Sequence, residues 1–312
     1  MKNMKRDLLS AFDMKDDLEQ IIDLSINLKK RRYDYEPVLS RHILGMIFEK
    51  QSTRTRVSLE TAIEQLGGHA IYLNPNDMQV GRGETVADTA RVLSGFVDFI
   101  SYRAYSSDNV AELAKNASVP VINALDNKEH PVQIVADFMT MKEKFGKLKG
   151  LKLAYVGDGN NMANSLIAGA SILGVDVSVG APQGHKPDSS IVQKAKDLTK
   201  KTGSRVEILD DPMEAAENAD AVYTDVWVSM GEEAEKKEKE RQFSGFQVND
   251  SLMSKAKKSA IFMHCLPAHR GLEVSASVID GPRSIVFQQA ENRLHTAKAI
   301  LLTLHKSMHT HS

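Results

Sequence analysis

The sequence predicts an α/β protein of two domains, each with a mostly parallel central sheet flanked by helices. Three observations carry this. At 312 residues the chain is too long for one small core, and two domains of roughly 150 residues are the default. Short apolar runs alternate with amphipathic runs of helical period along most of its length. The alternation restarts after the glycine-bounded segment 146–150, which places a domain boundary there. The predicted domains are 1–147 and 148–290, with a final helix, 291–309, packing back on the first.

In chain order, residues 14–30 set Leu18, Ile21, Ile22, Leu24 and Leu28 at helical spacing, with acids early and lysines late. Ile43–Phe48 reads as a buried strand, followed by a turn and a helix from about Val57 to Leu66, stopped by Gly67-Gly68. HAIYLN is a strand, and MQVGRGETVADTARVLSG a loop that becomes a helix. FVDFISYRA is a strand with polar final residues. SSDNVAELAKNA is a helix with Ser and Asp caps; the strand VPVINA and the helix HPVQIVADFMTMKEKFG close the first half. In the second half LKLAYVGD, VDVSVGAP, SRVEILDD, ADAVYTDV and SAIFMHCLP read as strands. NMANSLIAGASILG and segments near 189–201 and 212–218 read as helices, and ENRLHTAKAILLTLHKSMH as the final helix. The charge-dense run 232–242, EEAEKKEKERQ, reads as a solvated loop.

Composition excludes several classes. An apolar fraction of 42% and a charged fraction of 26% are those of an ordinary globular protein. Lys and Arg total 40 against 41 acids, a net charge of −1, so no global field gathers nucleic acid or anionic membrane. Any anion site must be local. Cys265 is the only cysteine, which rules out an intramolecular disulfide and favours the cytoplasm. The first residues carry charges throughout and lack a signal peptide's apolar core, and no run is long and apolar enough for a membrane span.

The polar clusters fall at strand ends, where open α/β sheets place their ligands. Ser52-Thr53-Arg54-Thr55-Arg56 joins a strand to a helix: hydroxyls and backbone N–H groups there form an anion nest, and a guanidinium adds a bidentate clamp. A plain cap flanked by surface arginines is the competing reading. Absence of GxxxxGK[ST] argues against a nucleotide triphosphatase. Arg103 ends one strand. His130-Pro131-Val132-Gln133 follows another, where an imidazole and an amide can donate to a carbonyl oxygen gaining charge. A lone histidine at a helix start is otherwise structural or exposed; its convergence with Arg103 and 52–56 favours function.

Gly157-Asp158-Gly159-Asn160-Asn161 starts like a dinucleotide fingerprint, but lacks the third glycine and a later ribose-binding acid, against NAD or FAD. Asn161 and Asn164 remain as amides fit for capping or for a zwitterionic small molecule. Asp225, opening Asp225-Val226-Trp227-Val228-Ser229-Met230-Gly231, can orient an ammonium or cap a helix. His264, Cys265 and His269 invite a metal, yet no zinc-like ligand spacing is present and the expectation is none. A cysteine nucleophile, with Asp225 or His264 nearby, is equally disfavoured. Arg293 opens the last helix and reads as an oxygen donor if that helix returns to the first domain, and otherwise as a surface arginine.

Phe48-Glu49-Lys50-Gln51-Ser52-Thr53-Arg54-Thr55-Arg56, His130-Pro131-Val132-Gln133, Asp225 to Gly231 and His264-Cys265-Leu266-Pro267 together resemble the aspartate/ornithine carbamoyltransferase family over nearly the whole chain. The last two segments resemble its ornithine-using branch. The resemblance implies carbamoyl transfer from carbamoyl phosphate to the δ-amine of L-ornithine, giving citrulline and phosphate without cofactor or metal. It implies that Ser52, Thr53, Arg54 and Thr55 bind phosphate, and that Arg103, His130 and Gln133 hold the carbamoyl group. Cys265, the Leu266 carbonyl and Arg293 complete that site. Asn161, Asn164, Asp225, Ser229 and Met230 correspond to ornithine-binding positions, with 232–242 continuing a loop over ornithine. Arg54, Arg103, His130, Asp225 and Cys265 are the residues implied in catalysis. Gln79 corresponds to a residue inserted into a neighbouring subunit's site, which implies a homotrimer as the minimal unit. A setting in arginine biosynthesis is implied as well, although ornithine-producing catabolic forms use the same chemistry.

The nearest rival is a carbamoyltransferase for putrescine or an acylated ornithine, which would share every phosphate-side residue. A nucleic-acid-binding module would need a basic stripe and aromatic platforms; the neutral charge and 6% aromatics oppose it. A non-catalytic assembly protein would leave the strand-end clusters unexplained.

Overall fold

Ser52 shows how local sequence sets an element boundary. Its hydroxyl accepts the Thr55 N–H at 3.2 Å, so the following helix begins at Thr53 rather than near Val57, and the polar STRTR segment is its first turn. The structure, a computed structural model, describes residues 5–31, 33–79, 83–228 and 236–309. The chain divides into two compact units, Met1–Met139 with Asn292–Ser312, and Thr140–Glu291.

In the first unit the strands are β1 (Ile43–Phe48), β2 (His69–Leu73), β3 (Phe99–Arg103) and β4 (Val121–Leu125). They form a wholly parallel sheet in the order β2-β1-β3-β4. Its helices are α1 (Leu18–Arg31), α2 (Thr53–Gln65), α3 (Val86–Leu93), α4 (Ser107–Asn116) and the start of α5 (Pro131–Phe145). β1 is apolar, and both β1 and β3 are buried nearly end to end, as a sheet covered on both faces requires. Side chains alternate across the sheet. Ile47, Ile100 and Tyr102 pack with Val110 and Leu113 on one face, so Arg103 points to the other. Phe48 and Arg103 are register partners, and strand order reverses between β1 and β3. Open parallel sheets bind ligands outside the carboxyl ends of the strands at such a switch point, and the first turn of α2 follows β1 there.

The second unit contains β5 (Lys152–Val156), α6 (Asn161–Leu173), β6 (Asp176–Gly180), α7 (Ser189–Thr202), β7 (Val206–Leu209), α8 (Pro212–Ala216) and β8 (Ala221–Thr224). It continues with α9 (Lys236–Gln242), α10 (Asp250–Lys255), β9 (Ile261–His264) and α11 (Ala276–Ile279). The parallel order is β7-β6-β5-β8-β9, with the switch point between β5 and β8. Ala154, Val156, Val222, Leu252, Met253 and Phe262 build the core on one face. Burying a side chain such as Phe262 contributes about 1.5–3 kcal/mol.

The last helix, α12 (Val286–His309), belongs to the first unit from Asn292 onward, the packing expected from sequence. Lys29 Nζ donates to Asn292 Oδ1 at 2.7 Å. The fully buried Lys298 donates to Tyr35 Oη and Gln65 Oε1, each at 3.0 Å, and burial lowers its pKa to about 8.

Part of the charged run departs from expectation. Residues 232–235 lie outside the described set, but 236–242 are helical, and Lys239 is buried, not solvated. Its ammonium meets Asp158 Oδ2 at 2.9 Å, with side-chain exposures of 7% and 12%. A buried carboxylate on the facing turn explains the difference: the ammonium leaves water only because a counter-charge receives it.

Candidate active site

The switch point of the first unit collects positive charge. His130 and Pro131 sit where α5 begins, with Pro131 at the first helical position, where a missing N–H costs nothing. The approach is fixed by carboxylates. Asp126 accepts the N–H groups of Lys128 and Glu129 at 2.7 and 2.8 Å. The buried Glu129 accepts the Ser10 hydroxyl at 2.5 Å and the Ala11 N–H at 2.8 Å. Leu125, just upstream, has φ of 150°, a region a branched side chain rarely enters, and its N–H is held by Asn123 Oδ1 at 3.0 Å.

Arg293 Nη2 donates to Thr55 Oγ1 at 3.0 Å, and Nη1 donates to Gln133 Oε1. Gln133 Nε2 in turn donates to Asp137 Oδ1 at 2.8 Å. One arginine on α12 thereby joins the first turns of α2 and α5. His130 is buried, and its pKa is held well below the ordinary histidine value. Burial is the largest cause, followed by the charges of Arg293, Arg103 and Arg54. A neutral imidazole in the field of three guanidiniums, beside a helix N-terminus, is an arrangement suited to an anion in a chain of almost no net charge. Arg56 takes no part: its guanidinium stacks on Tyr72 at 3.7 Å.

The switch point of the second unit is organised around a carboxylate. Asp225 follows β8 and is buried. Its Oδ1 accepts the Val226 N–H at 2.8 Å and the Cys265 thiol at 3.0 Å, while Oδ2 accepts Asn160 Nδ2 at 3.0 Å. Asn160 is also the cap of α6, its oxygen accepting Met162 N–H at 2.9 Å. Gly159 is required in this turn, because a Cβ there would lie 2.2 Å from the Pro187 backbone nitrogen. Tyr155 donates to the Asp158 carbonyl at 2.9 Å. Burial raises its pKa well above the tyrosine value, and the charges of Asp225 and Asp158 add to this, so it stays a donor.

Cys265 leaves the end of β9. Leu266 has φ of 59°, which costs a non-glycine residue roughly 1–2 kcal/mol, and its N–H donates to His264 Nδ1 at 2.8 Å. Asp225, His264 and Cys265 each bring one ligand atom within 4.8 Å of the others. All three are engaged, however: His264 Nδ1 accepts from Leu266, and the thiol donates to Asp225. As arranged, the cluster orients a carboxylate.

The residues singled out from sequence fall into two groups. Ser52, Thr53, Arg54, Thr55, Arg103, His130, Gln133 and Arg293 are brought to the first switch point. Asn161, Asn164, Asp225, Cys265 and Leu266 surround the second. Asn164 is buried there, with Oδ1 accepting the Asp188 N–H at 3.0 Å. Gln79 is exposed in the loop before α3. Ser229 and Met230 lie outside the described residues. Asn160 was missed. A Gly-x-Gly-Asn turn at a helix start signals a cap, and only the fold shows the cap's amide reaching Asp225.

One parallel α/β unit gathers guanidiniums around a buried imidazole at its switch point, and the other braces a carboxylate at its own. The family model for the carbamoyl-P binding domain of aspartate/ornithine carbamoyltransferases matches residues 6–143, and that for the Asp/Orn binding domain matches 149–304. The chain belongs to the aspartate/ornithine carbamoyltransferase family. It is 64% identical over 301 residues to an ornithine carbamoyltransferase of Picrophilus torridus, covering 96% of this chain and 99% of that one. It is 61% identical over 300 residues to a protein of Thermoplasma volcanium named ornithine carbamoyltransferase, catabolic, covering 96% and 98%. The solved ornithine carbamoyltransferase of Pyrococcus furiosus superposes with a TM-score of 0.92 at 49% identity, covering 96% and 97%.

Proposed function

We propose that the chain transfers the carbamoyl group of carbamoyl phosphate to the δ-amine of L-ornithine, giving L-citrulline and phosphate. The observation that carries this is the pairing of neutral His130 among Arg54, Arg103 and Arg293 with an Asp225 that takes three donors. The first arrangement suits a phosphorylated carbonyl compound, and the second suits an amine. The ornithine-using relatives support the choice of amine.

Ser52, Thr53, Arg54 and Thr55, at the N-terminus of α2, would receive the phosphate. Arg103, His130, Gln133 and Arg293 would hold the carbamoyl group and oppose charge on its oxygen. Asn161, Asn164, Asp225, Ser229 and Met230 would hold ornithine, with Cys265 and the Leu266 carbonyl completing the site. The neutral amine attacks the carbamoyl carbon, the carbon–oxygen bond to phosphate breaks, and the proton the amine gives up ends on the departing phosphate. An aliphatic ammonium titrates near roughly 10.4 in water, so deprotonation precedes attack. Asp225 positions the amine and is not asked to act as its base.

A homotrimer in which Gln79 reaches a neighbouring site is part of the proposal. Its support is the edge strand β2, whose apolar Ile71 and Tyr72 stay exposed while the other strands of the sheet are largely buried. We place the protein in the cytoplasm: the chain carries a single cysteine, and among the described residues no helix is long and apolar enough to cross a membrane. The citrulline-forming direction would serve arginine biosynthesis, and the reverse would serve ornithine production.

The test is product formation from carbamoyl phosphate with ornithine, putrescine, N-acetylornithine and aspartate side by side. Selective turnover of ornithine is expected. Preference for another amine would overturn the assignment at 225–231 and leave the phosphate side standing.

A further inference from the structure

Glu273 is a buried carboxylate with no place in the chemistry above. Its neighbours are His264, whose Nε2 lies 3.4 Å from Oε1, and His269, whose backbone N–H donates to Oε1 at 2.5 Å and whose Nδ1 lies 3.7 Å from Oε2. His264 and Glu273 side chains are 0% and 1% exposed. The imidazole's tautomer follows from these contacts. Nδ1 accepts the Leu266 N–H at 2.8 Å, so it carries a lone pair and the ring proton resides on Nε2, which lies 3.4 Å from the Glu273 carboxylate without a hydrogen bond to it. The His264 backbone N–H is separately anchored on Gln289 Oε1 at 3.0 Å, and Gln289 Nε2 donates to Tyr223 Oη at 3.1 Å.

We infer that Glu273 and His264 are positioning residues that set the turn presenting Cys265 and the Leu266 carbonyl. The carboxylate, 3.4 Å from Nε2 but outside hydrogen-bonding geometry, favours the proton on that nitrogen through its charge, and Nδ1 is the acceptor that holds Leu266 at its positive φ of 59°. With Leu266 held, Cys265 aims its thiol at Asp225 Oδ1. A carboxylate behind an imidazole is a common way to orient a group that does not itself meet substrate. The inference deepens the ornithine reading and, for the kinetic part, rests on it.

The experiment compares H264N, H264Q and E273A in the full-length protein. Asparagine places its oxygen where Nδ1 stands and keeps the acceptor for Leu266; glutamine reaches toward the Nε2 position and loses it. Because Cys265 is the only cysteine, its alkylation rate without substrates reports on this turn alone. H264Q and E273A are expected to change that rate by about tenfold or more, and to raise KM for ornithine by about tenfold with KM for carbamoyl phosphate within about twofold, as a displaced positioning group does. H264N is expected to stay within about threefold of the parent in both readouts. Equal behaviour of H264N and H264Q would overturn the inference, because a space-filling histidine predicts it. An unchanged alkylation rate in E273A would overturn it as well. The alkylation arm needs no turnover, so it stands or falls separately from the assignment of ornithine.

Discussion

Asn160 Nδ2 meets Asp225 Oδ2 at 3.0 Å while the Cys265 thiol meets the other oxygen of the same carboxylate at the same distance. The amide that caps α6 and the thiol that follows β9 thus aim one acid from two sides, leaving it little rotational freedom. Asn160→Ala removes a cap and a brace together. It should cost about 1 kcal/mol of stability in urea unfolding. Asn160→Asp restores the cap but sets a like charge against Asp225. It should recover part of the stability and none of the ornithine KM, and recovery of both would show that the amide acts only as a cap.

Arg293 spans Thr55 and Gln133, and no other described contact joins those two side chains. Arg293→Met leaves buried acceptors unanswered and removes one of the charges around His130. Binding of carbamoyl phosphate should weaken by about 2–3 kcal/mol. Arg293→Lys should recover little, since one ammonium cannot serve both partners in the fork's geometry. Equilibrium binding by calorimetry measures both.

His130 gives an acid-side signature. Its folded pKa lies well below 6.5, while the unfolded chain titrates near the ordinary value. Between those two values the unfolded state binds the extra proton, so His130 draws stability down as pH falls below about 6.5, and draws nothing above it. Urea midpoints of the parent should therefore fall between pH 7.5 and pH 5 more steeply than those of His130→Gln. Parallel slopes would show that the imidazole does not stay neutral in the fold.

Lys239 and Asp158 are predicted to be strongly coupled. Lys239→Met leaves a buried carboxylate without its ammonium and should destabilise the second unit by about 3 kcal/mol. Adding Asp158→Asn should return part of that loss. Additive effects in a double-mutant cycle would mean that the pair contributes nothing as a pair.

The repeating strand and helix pattern was legible from periodicity, and each predicted strand is present within three residues of its expected bounds. α9, α10 and α11 were not anticipated. Each is seven residues or fewer, and α9 carries almost only charged side chains, so no apolar stripe announces it. Arg54, Arg103 and His130 were legible because strand ends in parallel sheets are where ligands bind. Asn160, Lys239 and Glu273 were not, because each acquires its role from a partner between 9 and 81 residues away. Sequence spacing carries no trace of such contacts.

The most direct test supplies carbamoyl phosphate labelled with carbon-13 in the carbamoyl group, together with ornithine, and follows the label by NMR alongside phosphate release. The account predicts that the labelled carbon appears in the ureido group of citrulline, one for each phosphate released, and that Asp225→Ala suppresses it while carbamoyl phosphate still binds. Phosphate release without labelled citrulline, or label transferred only to another amine, would contradict it.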